Sequence, residues 1–138
     1  MSDSYENLLA FACLALAEER RLNMMDRDRL LVISATIASE RHLEPLAGFL
    51  RQLVLDHNAG HMLKKYATVY EAMVDPDFMH FLRTVRRRFP IERVEQKLAE
   101  HGFVVPTHDR GERSELEVMA ELFGVEPDWI SRTFSVEP

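Results

Sequence analysis

The sequence predicts an all-α fold, a compact bundle of about seven or eight short helices that ends in a C-terminal helical hairpin. Three observations predict it. Apolar side chains recur every three to four positions along most of the 138 residues. Start and stop signals interrupt that pattern at helical lengths: "DPDF" at Asp75–Phe78, "HG" at His101-Gly102 and "SELE" at Ser114–Glu117. No apolar-polar alternation runs long enough to build a sheet, and no unit repeats at a fixed period.

Taken in order, Ser4 caps a first helix whose apolar residues wrap almost fully round it, as in "LLAFACLALA" from Leu8 to Ala17. A helix apolar on every side belongs at the centre of a bundle or at a subunit interface. Asp26 is the expected cap of a second helix carrying Leu30, Ile33 and Ile37. Pro45 suits the start of a third, with Leu46, Phe49, Leu50, Leu53 and Val54 as its stripe. Asn58 and Gly60 break the pattern. A further helix with Met62, Tyr66, Val69, Tyr70 and Met73 on one side is expected to form an antiparallel hairpin with the third.

Asp75 then caps, and Pro76 opens, a helix whose core face is Phe78, Phe81, Leu82, Val85 and Phe89. Pro90 stops it and begins another with Ile91, Val94 and Leu98 inward, closed by Gly102. "FVVPTHDRG", Phe103 to Gly111, breaks the helical character. Ser114 and Glu117 form a capping box for the next helix. The expected organisation is a bundle over 1–103, a connector at 104–111 and a hairpin over 112–138, packed together as one domain.

Composition bounds the function. A hydrophobic fraction of 46% and a charged fraction of 29% are ordinary for a globular protein. Ten apolar residues preceded by Asp3 and Glu6 suit neither a membrane span nor an export signal. With one cysteine, Cys13, in that apolar run, the expected location is the cytoplasm and the expected thiol is inert. The formal charge of −6 is uneven: residues 61–98 are net basic, residues 107–138 strongly acidic. Anions are drawn to the middle of the chain rather than to its end.

The end holds the most pointed motif, "MAELFGVEPDWISRTF", Met119 to Phe134. Ala120 lets two helices approach, Gly124 supplies a left-handed turn, and Val125 and Ile130 pin the second helix to the first. With Ser131-Arg132 following, the spacing resembles the helix-turn-helix of many bacterial regulators over about residues 115–134. The resemblance implies a DNA reader whose second helix enters the major groove. Glu115, Glu117, Glu121, Glu126 and Asp128 give that surface a sign opposed to phosphate, and only Arg132 offers a cation nearby.

Other chemistry is sparse. Arg83, Arg86, Arg87 and Arg88 cluster on the helix after Pro76, with Arg83, Arg86 and Arg87 expected toward solvent, and could grip phosphate or carboxylate. His57 and His61 are separated by helix breakers, Asp77 stands near His80, and no pair of E-x-x-H motifs follows Glu40 and His42, so no metal set emerges. There is no nucleophile elbow and no phosphate loop. The reading is a non-catalytic, all-helical protein-interaction module that takes another protein or a second copy of itself, with no cofactor and no membrane contact. Trp129, Ile130 and Phe134 are its candidate contacts, with the Leu8 to Leu16 side as a further anchor. The alternative is a nucleic-acid-binding protein using Arg132 in the helix-turn-helix-like end, or Arg83, Arg86 and Arg87 on the helix at 77–89.

Overall fold

The chain folds around two almost wholly enclosed rods. In the computed structural model, which describes residues 3–103 and 110–135, the eight α-helices are α1 Tyr5–Arg20, α2 Met24–Glu40, α3 Glu44–His57, α4 Val69–Met73, α5 Pro76–Arg88, α6 Ile91–Glu100, α7 Glu115–Phe123 and α8 Pro127–Thr133. No strand occurs among the described residues. α1 packs along α2 and α2 along α3; α6 covers α1, α4 and α5 cover α2, and α8 lies on α3. The fold is all-α, as the periodicity requires.

The all-round apolar character of α1 resolves to the interior of this chain. Leu8, Leu9, Ala12, Cys13, Leu14 and Ala15 are fully buried, so the Leu8 to Leu16 side is core rather than a partner anchor, and only Leu16 keeps partial exposure. α2 is enclosed in the same way, and its buried hydroxyls bond inside the helix: Ser34 Oγ donates to the Leu30 carbonyl at 2.9 Å and Thr36 Oγ1 to that of Ile33 at 2.7 Å. These bonds remove most of the cost of burying a hydroxyl.

Two local expectations are corrected. The cap of α2 is Asn23, whose Oδ1 accepts from the Asp26 N–H at 3.4 Å; Asp26 lies in the first turn. Residues 62–73 do not form one helix, and no long hairpin with α3 results. Met62–Lys65 make a 3-10 turn, Tyr66 is extended, and Thr68 caps the short α4 by accepting from the Glu71 N–H at 3.1 Å. That new start rotates the face, leaving Val69 buried and Tyr70 exposed.

The other boundaries match their signals. Asp75 Oδ1 accepts from the Asp77 N–H at 2.9 Å, and the Ser114–Glu117 box closes with two reciprocal bonds of 3.1 Å. Of the connector expected at 104–111, residues 104–109 lie outside those described. α7 and α8 pack on the bundle: Arg41, at the end of α2, grips Glu115 with bonds of 2.8 and 2.6 Å, and Phe123 meets Phe49 of α3.

Candidate functional site

Phe49 of α3 organises the surface where the C-terminal helices dock. Three rings stand edge-on or nearly so to it: Phe123 at 5.6 Å, Trp129 at 5.8 Å and Phe134 at 5.9 Å between centroids. Trp129 also meets Phe134 at 5.6 Å. Edge-to-face pairs add stabilisation beyond the area they bury. The geometry follows from local sequence. Gly124, at φ 72°, turns the chain sharply after α7, and Pro127 lies in the first turn of α8. Gly48 lets Phe134 approach, since a Cβ there would stand 3.1 Å from that of Phe134.

The three aromatic and apolar candidates separate. Trp129 is 41% exposed, Phe134 is half-buried, and Ile130 is wholly enclosed and holds α8 down. Ile130 is therefore a structural residue and not an accessible contact. Beside the aromatic cluster runs an apolar groove of about 200 Å³ between α1, α2, α3 and the α7–α8 turn. Leu16, Leu53, Phe123 and Val125 line it and stay half-exposed.

One border of the groove is ionic and internally satisfied. Arg27 bonds Glu19 at 3.0 Å, Asp28 at 2.9 Å and the Leu53 carbonyl at 3.2 Å, while Asp28 lies 2.6 Å from His57 Nδ1. Burying charge is tolerable only with such pairing. The acidic Glu121, Glu126 and Asp128 are exposed on the α7–α8 side.

The arginine candidates also divide. Arg86 is half-buried, bonded to Asp3 at 2.9 Å with its guanidinium over the Phe11 ring at 5.5 Å, so it secures the N-terminal residues instead of facing solvent. Arg83, Arg87 and Arg88 are exposed on α5, and none pairs with a carboxylate among the described residues. Arg132 is exposed on α8, where its Nε donates to the Asp128 carbonyl at 3.3 Å.

Three of the described histidines serve local structure. His57 pairs with Asp28, His61 accepts from the Leu63 N–H at 3.1 Å, and His101 stands 3.2 Å from Glu18. Burial holds His61 below the usual histidine range. Among the described residues, no three His, Cys, Asp or Glu side chains are grouped to hold a metal ion. Likewise, no helix there is long and apolar enough to cross a membrane.

The groove itself is absent from any single stretch of sequence, because Leu16, Leu53 and Val125 come from three separate elements. Comparison with known proteins finds no matching family model, curated protein or solved structure. Function must be read from this geometry.

Proposed function

We propose that this chain is a non-catalytic interaction module that captures a partner protein through Trp129 and the apolar groove on whose wall Phe49, the ring it packs against, also stands. The observation that carries this reading is a tryptophan left 41% exposed while braced edge-on by Phe49 and Phe134. A rigid aromatic beside a preformed groove loses little entropy on binding, and tryptophan is enriched among residues that dominate interface energies. The groove is sized for one or two apolar side chains, and the exposed acids on α7 and α8 favour basic residues flanking them.

Trp129 is the chain's only tryptophan, so its fluorescence reports on the surface directly. Pull-down from the native cell, followed by titration of the captured protein, should shift its emission to the blue. A second copy of this chain as partner would give the same shift on raising the protein concentration alone. Trp129→Ala should weaken capture at least tenfold, and Leu16→Lys, which puts a charge in the groove while keeping every aromatic residue, should do the same. Both should keep the helical circular-dichroism signal. Undiminished capture by both variants overturns the reading.

A second reading rests on Arg83, Arg87 and Arg88, a cationic face of α5 with no acid partner among the described residues. It is nucleic-acid binding, with affinity that falls steeply as salt rises. The Arg83→Glu, Arg87→Glu double variant tests it while sparing Arg86, which holds Asp3. In this reading α8 of the helix-turn-helix-like end contributes little, because Glu126 and Asp128 stand exposed at its start. A duplex titration at low salt with no signal removes it.

A further inference from the structure

A different cavity, on the Phe134 side of α3, holds a charge that no described residue neutralises. Arg51 projects from α3 into the wall of a space of about 320 Å³, and its Nη2 donates to the Tyr66 carbonyl at 2.8 Å. Its Nε is enclosed without an acceptor, and no described carboxylate lies within ion-pair range. The acid in the same wall, Glu44, instead accepts from Ser39 Oγ at 2.8 Å. Burial pulls the Arg51 guanidinium below its ordinary value, and no described acid raises it. Half-buried arginines are ordinarily paired, because an isolated charge out of water is costly.

The rest of the wall is mixed. Ala67, Val69, Phe134 and Gly48 give apolar surface; Thr68 and Ser135 give hydroxyls. We propose that this cavity binds a small monocarboxylate with an apolar body, its carboxylate on Arg51 and its hydrocarbon against Val69 and Phe134. With Nε enclosed and one Nη2 hydrogen on the Tyr66 carbonyl, the Nη1–Nη2 edge of the guanidinium is the part that can donate to both carboxylate oxygens. A phosphate dianion is disfavoured by the Glu44 carboxylate in the same wall. The volume falls at the small end of ligand pockets and suits a molecule of roughly six to ten heavy atoms. This site is separate from the Trp129 groove and does not depend on the interaction reading.

The test is titration of the full chain with hexanoate, followed by amide shifts in nuclear magnetic resonance spectra, with hexanamide and inorganic phosphate as comparison probes. Saturable shifts of residues 48–52 and 67–69 with hexanoate, and weaker ones with either comparison probe, support the site. Arg51→Gln should lower hexanoate affinity at least tenfold. Because that variant also loses the bond to Tyr66, Ala67→Phe serves as a second variant that fills the cavity and leaves Arg51 in place; it should abolish the shifts. Equal response to hexanamide, unchanged affinity in both variants, or no saturable shift overturns the proposal and leaves Arg51 as a pin for the Tyr66 segment.

Discussion

Cys13 shows how far burial alone can set a residue's chemistry. Its thiol is wholly enclosed in α1, and burial pushes its pKa up to about 12. The thiolate is the reactive form, so at neutral pH the native protein should resist thiol reagents. Labelling with an aromatic disulfide reagent should be negligible in buffer and complete in denaturant. Rapid native labelling would mean that α1 opens far more often than this packing allows. The burial of this thiol was legible from its apolar neighbours, because burial follows local pattern. Arg86 and Arg51 were not legible in that way. The bond of Arg86 to Asp3 joins residues 83 positions apart, and Arg51 is held by a carbonyl fifteen residues away.

At the scale of elements, boundaries written in side-chain chemistry were readable and boundaries set by neighbours were not. Asp75-Pro76 and the Ser114–Glu117 box state their own starts, as the observed bonds confirm. Thr68 and Glu71 have the same spacing as Ser114 and Glu117. The apolar residues from Met62 to Met73 masked that signal by suggesting one continuous face. Gly124 gives the sharpest element-level prediction. It sits at φ 72°, and a Cβ there would meet nothing within 4 Å, so Gly124→Ala incurs backbone strain without a steric clash. The expected loss is about 1 kcal/mol, measured by urea unfolding. An unchanged midpoint would mean that the α7–α8 turn contributes no stability. Since the same turn sets the entry to α8 and so the position of Trp129 against Phe49, partner affinity should fall with it.

For the whole molecule, the decisive question is what holds the C-terminal helices to the bundle. Phe49 supplies the apolar contact, and Arg41 supplies the polar one: its paired bonds to Glu115 join the end of α2 to the start of α7, and its Nη1 also donates to the Asp3 carbonyl at 3.3 Å. The bond from Arg41 holds the Glu115 carboxyl below its usual value of 4.5. Burial pushes Asp3 up, but bonds from Arg86 and Asn7 outweigh it and leave that carboxyl below 3.8. In both cases the unfolded chain binds its proton first as pH drops. The stability they contribute is complete well above pH 4.5 and is lost as pH falls through the depressed folded values. Glu40, raised by burial, acts in the opposite direction and offsets part of the loss. Burial also keeps His61 from its proton as pH falls below the ordinary histidine value. Urea midpoints should therefore slip slightly between pH 7 and 6 and decline more steeply from about pH 5 downward, with Glu115→Gln flattening that lower part. The pair contributes about 1–2 kcal/mol, since neither side chain is more than a third exposed. Hydrogen exchange locates the effect: amides of α7 and α8 should lose protection at acid pH before those of α1 and α2, because only the C-terminal pair depends on this clasp. Simultaneous loss across all four helices would show that the aromatic cluster around Phe49 holds α7 and α8 without help from charge.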